Sequence, residues 1–252
     1  MKKIRILAFL ALILGLLVIL VLFLLPRLGF NFISLLNQGS IDNVRVQEGF
    51  TINVFAEDLA GPRFIAFGPD GVLYVAERGE NRIVALPDED SDGRADAVIS
   101  FAEGLDSVHS LAYFEGSWFA GLPLGIVKLT DENGDLSADS RTTIYENYTS
   151  GQHNTRTVVF LQDGRMVFSL GSTCNICEET DPLRAAVSIF DGDLPRVWAS
   201  GLRNAVGLAV HPETGELWAT NNGRDLMGDD EPPETIHLLR DGDNYGLSLI
   251  HI

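Results

Sequence analysis

The chain has 252 residues and carries 18 Lys and Arg against 35 Asp and Glu, a formal net charge of -17. Lys2, Lys3, Arg5 and Arg27 lie in the first thirty residues, which hold no acid, so the remainder sets 14 basic against 35 acidic groups, a net of -21. Such a surface repels phosphate backbones and argues against a nucleic-acid partner, while 46% hydrophobic residues leave ample material for a core.

Ile6 to Leu25 is twenty residues without a charge, long enough at about 1.5 Å per residue to cross a ~30 Å hydrocarbon layer. The preceding Lys2, Lys3 and Arg5 place the N-terminus in the cytoplasm and the rest outside. A cleaved signal peptide is the competing reading. Against it, the run exceeds the usual ~7–15 residues and no small-x-small site follows Pro26. Residues 1–30 are therefore expected to be a membrane anchor or signal, and the folded part is exported, periplasmic or extracellular, either way. Residues 31–43 read as a spacer. Val44 to Phe55 alternates apolar and polar residues and reads as a first strand pair.

From residue 44 a repeated phrase sets the architecture. Phe64–Ala76, His109–Ala120, Thr157–Phe168 and Leu202–Thr220 each run apolar strand, Gly turn, aromatic or apolar strand. The turn glycines stand at 71, 116, 164 and 215, in steps of 45, 48 and 51 residues. Short strands with a Gly turn at that period are the signature of a β-propeller, with the apolar strand of each unit innermost. The expectation is an all-β fold with about four blades over residues 44–252.

Residues just before each inner strand then surround one mouth of the central channel, where a propeller holds a ligand. They are Gly61-Pro62-Arg63, Ser107-Val108-His109, His153 through Arg156, and Leu202-Arg203-Asn204. His109 and His153 occupy equivalent places there, which lifts both above a packing role. His211, before Pro212 in a turn, and His237, in an apolar run, read as structural.

Two acidic loops are expected between blades. Asp88, Asp90, Asp92 and Asp96 place oxygens at relative positions 1, 3, 5 and 9, and Asp131, Asn133, Asp135 and Asp139 do the same. That is calcium-loop spacing, although Ile99 and Thr142 stand where a bidentate Glu would close the site. A solvated acidic hairpin between outer strands is the alternative. Cys174 and Cys177 are the only cysteines; Glu178 follows where a c-type haem needs His, so a local disulfide pinning a loop is expected.

These motifs carry a resemblance. Gly201–Leu208, Asn222–Glu234 and Asp243–Gly246 are similar to segments of the pyrroloquinoline-quinone (PQQ)-dependent soluble glucose and sorbosone dehydrogenases, and the Gly223-Arg224-Asp225 run looks closer to the sorbosone branch. That family is six-bladed and oxidises sugars at one channel mouth. Gln152–Thr157 is similar to its catalytic-histidine segment, so the resemblance implies His153 as the general base. It accepts a hydroxyl proton while the adjacent C–H gives hydride to the quinone. Gly171–Asn175 is similar to an Arg-Asn segment that contacts the cofactor, with Cys174 in place of the Arg.

The implied cofactors are PQQ and Ca2+. The implied cofactor contacts are Asn175, Arg203, Asn204 and Arg156, with Arg224 a further cation, although Arg203 and Asn204 are equally suited to bracing the inner strand. The implied partners are a sugar or aldehyde and an external electron acceptor. After Gly246 the family pattern continues Trp-Pro, whereas this chain reads Leu247 to Ile252, which gives the expectation of an incomplete copy. Two rivals stay open: a calcium-dependent propeller hydrolase of the lactonase type, and a non-catalytic carbohydrate- or protein-binding propeller. The hydrolase needs carboxylates converging on a metal in the channel.

Overall fold

The computed structural model describes residues 44–146, 151–228 and 233–247. The chain divides into two compact units, Met1–Asp58 and Leu59–Ile252. In the first, the described residues 44–58 form no strand. A turn at Glu48-Gly49 interrupts the alternating run, with the Phe50 amide donating to Gln47 O at 3.1 Å. This corrects the strand pair expected over Val44–Phe55. Period-two alternation fits a pleat, but a strand also needs a neighbour to take its backbone hydrogen bonds. The expected anchor Ile6–Leu25 lies outside the described residues, among which no helix is long and apolar enough to cross a membrane.

The second unit is four antiparallel sheets in succession. The first holds β1 (Pro62–Phe67), β2 (Leu73–Glu77), β3 (Arg82–Leu86) and β4 (Ile99–Ala102). The second holds β5 (Ser110–Phe114), β6 (Ser117–Leu122), β7 (Gly125–Thr130) and β8 (Ser140–Glu146). The third holds β9 (Val158–Phe160), β10 (Met166–Leu170), β11 (Ala186–Asp191) and β12 (Leu194–Ser200). The fourth holds β13 (Leu208–Val210), β14 (Leu217–Asn221) and β15 (Thr235–Leu239). Each sheet follows chain order, and β1, β5, β9 and β13 pack as neighbours along the axis. The four hairpin glycines take φ of +83°, +81°, +86° and +73°, the left-handed region each two-strand turn demands.

The core is three slabs, each between adjacent sheets. Tyr74, Ile83 and Phe101 of the first blade meet Leu111, Trp118 and Leu129 of the second, with Tyr74 and Trp118 rings 4.3 Å apart. Ile126 of the second blade packs on Val158, Met166 and Phe168 of the third, flanked by stacked Phe114 and Phe160 at 4.2 Å. Val187 and Ile189 of the third blade face Leu217 and Leu239 of the fourth. Each such buried side chain contributes about 1.5–3 kcal/mol.

Antiparallel order fixes what lies on each face. Chain entering an inner strand and the loop joining second to third strands share one face, the mouth. The Gly hairpins and the loops joining third to fourth strands share the other. Both acidic loops follow a third strand, β3 or β7, and precede a fourth, β4 or β8. They lie within blades, not between them as the sequence suggested, and on the face opposite the mouth. In the second blade the reason is that the fourth strand, β8 at Ser140–Glu146, has little apolar content to mark it; in the first, β4 is only the four residues Ile99–Ala102.

Candidate functional site

At the mouth, His153 is held by the loop joining β10 to β11. The chain is pinned there by paired backbone bonds, Gln152 N to Thr173 O at 2.9 Å and His153 N to Ser172 O at 3.1 Å. Gly171 allows the approach, since a Cβ there would stand 2.5 Å from His153 Cβ. His153 Nδ1 lies 2.9 Å from Ser172 Oγ and 3.2 Å from Ser172 O. The Ser172 hydroxyl donates to Cys174 O at 2.6 Å, so its proton is spent and Nδ1 must be the donor. Nε2 is then the unprotonated nitrogen, and it carries no hydrogen bond among the described residues. The Cys174–Cys177 disulfide, as expected, closes the loop that presents Cys174 O.

His153 is half-buried. Burial, then the Arg203 charge, lower its pKa below 6.5, against the hydrogen bond that Nδ1–H donates to Ser172 O, which raises it. The ring therefore stays neutral at neutral pH, as a proton acceptor requires. Arg184, which sequence reasoning missed, lies fully beneath the loop and donates to His153 O at 3.2 Å and Gly171 O at 2.9 Å. Its only sequence signal was an Arg in an otherwise apolar approach to β11. Ser172 was likewise missed; a serine in a polar loop announces nothing by itself. On the same face a cleft of about 780 Å³ is lined in part by Glu179, Pro182, Arg184, Ser200 and Asn244.

The residues expected to bind a cofactor come together, though with different tasks. Arg203 is 2% exposed and donates to Asn175 O and Asn175 Oδ1, both at 2.9 Å, to Gly223 O, and to Asp225 Oδ2 at 2.5 Å. Asn175 in turn accepts from the Asp225 amide at 2.9 Å and donates to Asp225 O at 3.1 Å. Arg203 and Asn175 therefore clamp two mouth loops to each other, with every nitrogen of the Arg203 guanidinium turned onto a protein oxygen. Asn204 accepts from Thr155 Oγ1 at 3.1 Å through Oδ1, which leaves its Nδ2 without a partner among the described residues. Arg156 is fully buried and donates to Pro123 O at 2.7 Å. Arg224 sits against Met227 Sδ.

His109 takes a different environment. It is 2% exposed, lies 4.9 Å from the Phe64 ring, and has its pKa pushed down to about 4 by burial, then by Arg63, Arg78 and Arg156. His211 Nδ1 accepts from the Glu213 and Thr214 amides, and His237 pairs with Thr235 and packs on Tyr245, so both are structural as expected. Tyr245 also ties the Asp243–Gly246 motif to β15 and β12, donating to Leu238 O at 2.6 Å while its amide donates to Ser200 O at 2.9 Å.

The acidic loops share one hydrogen-bond plan. Glu89 N donates to Asp96 at 2.7 Å as Glu132 N does to Asp139 at 2.8 Å. Gly93 N reaches Asp88 Oδ2 at 3.1 Å as Leu136 N reaches Asp131 Oδ2 at 3.0 Å. In the first loop Asp88, Asp90 and Asp96 each bring a carboxylate oxygen within 4.8 Å of the others. Asp92 turns its Oδ1 to the Arg94 amide at 2.8 Å. In the second loop Asn133 Oδ1 and Asp135 Oδ1 accept amides of their own turn.

Residues 37–242 match a family described as a domain of unknown function, DUF7133. The chain belongs to that family. This DUF7133 chain is also 26% identical over 235 residues to the aldose sugar dehydrogenase YliI of Escherichia coli, covering 79% of this chain and 62% of that one. Its fold is shared with the holo PQQ domain of Coprinopsis cinerea pyranose dehydrogenase at TM-score 0.65 and 21% identity, over 73% of this chain and 51% of that one. It is shared equally with the PQQ-bound aldose sugar dehydrogenase of Streptomyces coelicolor, at TM-score 0.64 and 20% identity, over 77% and 64%. The propeller and the resemblance to quinone-dependent sugar dehydrogenases therefore stand together. The chain spans roughly half to three-fifths of the length of two curated relatives it matches, 54% and 62%.

Proposed function

We propose that this DUF7133 chain forms part of an exported dehydrogenase that oxidises a sugar or aldehyde with PQQ, with His153 as the general base. The observation that carries this is the fixed tautomer of His153: Nδ1 is committed to Ser172 and Nε2 is left as a lone pair at the mouth. A neutral imidazole so held takes a proton from a substrate hydroxyl through Nε2, while Nδ1–H stabilises the imidazolium that forms against Ser172. Asn204 Nδ2 is the neighbouring donor for a ligand oxygen. The bound quinone would supply the hydride acceptor.

At the histidine, Asn204 Nδ2 would offer that group one hydrogen-bond donor. The carboxylates of PQQ need cations, and Arg156 and Arg203 are turned onto protein oxygens. In this reading the two brace the mouth and do not hold the cofactor. Proton and hydride balance: the hydroxyl proton goes to Nε2, a bound quinone would take the carbon-bound hydrogen with its electron pair, and a carbonyl product would remain.

The test is dye reduction by the full-length protein with PQQ and a panel of aldoses and aldehydes. Cofactor-dependent reduction supports the reading; lactone hydrolysis without cofactor, or sugar binding with no turnover, replaces it with one of the rivals. The hydrolase is disfavoured because the clustered carboxylates of Asp88, Asp90 and Asp96 lie on the face away from the histidines. Calcium in this reading is structural and sits in that first loop. Wild type should melt higher with calcium than with chelator, by RT ln(1 + [L]/Kd) or about 2.7 kcal/mol at a hundredfold excess over Kd. Asp90→Ala should lose the difference, and an equal shift in both proteins removes the site.

A further inference from the structure

Cys174-Asn175-Ile176-Cys177 lies on the loop joining β10 to β11, just after Ser172, the partner of His153 Nδ1. The disulfide between its ends closes a ring of only four residues. The stabilisation a disulfide lends a fold grows with the length of chain it encloses, so this one restricts little of the unfolded chain. What it restricts is local. Among the described residues, no amide or carbonyl of Cys174 to Cys177 takes part in a backbone–backbone hydrogen bond. Side chains hold the segment instead: the Ser172 hydroxyl donates to Cys174 O at 2.6 Å, and Arg203 Nε donates to Asn175 O at 2.9 Å. The peptide unit carrying Cys174 O is therefore fixed by the disulfide on its Cys174 side and by Arg203 on its Asn175 side.

The protonation of the His153 ring depends on that carbonyl. A serine hydroxyl has one proton to donate. While Cys174 O takes it, Ser172 Oγ meets Nδ1 only as an acceptor, so Nδ1 carries the ring proton and Nε2 the open lone pair. If Cys174 O moves away, the acceptor left to the hydroxyl is Nδ1 itself, at 2.9 Å. A hydroxyl donating there needs the lone pair on Nδ1 and sends the ring proton to Nε2. Ser172 O favours the original tautomer but stands farther off, at 3.2 Å. The sulfurs are within reach of a reductant. Cys174 and Cys177 are half-buried, and their neighbours Thr173 and Glu178 are exposed. Accessible disulfides are the readily exchanged ones.

We propose that the Cys174–Cys177 disulfide is a redox-sensitive positioning element for His153. Oxidised, it holds Cys174 O on the Ser172 hydroxyl and keeps Nε2 unprotonated. Reduced, it releases that carbonyl and moves the ring proton to Nε2. The step is exchange with a dithiol. One thiolate of the dithiol attacks a cystine sulfur to give a mixed disulfide, and its second thiol resolves this. The protein gains two electrons and two protons, while the dithiol becomes a disulfide. The tautomer change stands on the loop geometry alone. Its effect on turnover rests on the proposed function, because an Nε2 that carries a proton cannot accept one from a substrate hydroxyl.

The experiment follows the imidazole 15N resonances of His153 in the full-length protein, assigned by their loss in His153→Gln. In the oxidised protein Nδ1 should be protonated and Nε2 not. Dithiothreitol, removed afterwards by gel filtration, should shift Nε2 toward the protonated type, and re-oxidation should reverse the shift. Cys174→Ser/Cys177→Ser should show the reduced pattern without treatment; if that variant does not fold, reduced wild type makes the same comparison. In Ser172→Ala there is no hydroxyl to turn, so Nδ1 should stay protonated in both redox states. The proposal is overturned if Nε2 stays unprotonated in the reduced protein, as a disulfide that only braces the loop would leave it. An equal redox response in Ser172→Ala also overturns it. Turnover is the separate readout. PQQ-dependent dye reduction should lose about tenfold in kcat on reduction, the worth of one modest hydrogen bond, with KM within about twofold. A tautomer that switches in a protein without dye reduction counts against the dehydrogenase and leaves the redox element. Unchanged dye reduction beside a switched tautomer takes the base role from His153 and likewise leaves the element.

Discussion

His109 and His153 both lie in chain that enters an inner strand, but not at the equivalent places expected from the sequence: His109 directly precedes β5, His153 stands five residues before β9, and the two end in opposite states. His153 is half-buried, with one nitrogen committed to Ser172 and the other open. His109 is sealed, with both nitrogens uncommitted among the described residues. The difference comes from the loops joining second to third strands. In the third blade that loop runs from Gly171 to Ala185 and supplies Ser172 and the disulfide; in the second it is only Pro123-Leu124 and supplies a carbonyl to Arg156. Two histidines on the same stretch of a repeat thus share neither register nor chemistry. The side chain's task is set by what the adjacent loop brings.

The contrast breaks most visibly in turnover. His153→Ala should lower kcat by about 10²–10⁴, the usual contribution of a positioned base, with cofactor affinity little changed, as dye-reduction kinetics and calorimetry would show. A near-normal kcat in this variant would take the base assignment away from His153. In wild type, the acid limb of kcat/KM should inflect below pH 6.5, because the pKa of His153 is lowered.

Stability should separate the two next. The unfolded chain protonates His109 near pH 6.5, whereas the folded chain resists until about pH 4. Stability from this residue is therefore complete above pH 6.5 and is lost as pH falls through that window, by at most about 3 kcal/mol. Denaturant titrations of wild type and His109→Phe should diverge between those pH values. Parallel curves would mean that His109 takes up a proton in the folded state as readily as in the unfolded one.

The smallest effect sharpens the contrast from the other side. Ser172→Ala removes the side-chain partner of Nδ1 but leaves Ser172 O in place, so kcat should fall by about tenfold, the worth of one modest hydrogen bond. Ser172→Thr should restore most of it. Equal activity in all three proteins would show that the backbone carbonyl alone orients the ring.

Much of this was legible in advance because the signals were local. The hairpin glycines need positive φ, and the inner strands are apolar runs, so blade spacing could be read directly. The histidine's place followed from that spacing. What the sequence could not show depends on distant partners. Arg203 reads equally as a cofactor contact or a brace until Asn175 and Asp225, 28 and 22 residues away, close on it. The fourth strand Ser140–Glu146 is too polar to announce itself and Ile99–Ala102 is only four residues long, so the acidic loops were assigned between blades. Val44–Phe55 had the pattern of a strand and no strand to pair with.

The division of the core into slabs has a consequence for motion. Each blade is supported only by its neighbours, so opening free energies follow the number of slabs a blade touches, as in a one-dimensional stack. Among the described residues the first and fourth blades contribute to one slab each, while the second and third are clasped on both faces. Amide hydrogen exchange should accordingly be slowest in β6, β7, β10 and β11 and faster in β2 and β14. His109 and His153 ride on the two slow blades, so breathing at the flanks can proceed without disturbing either ring.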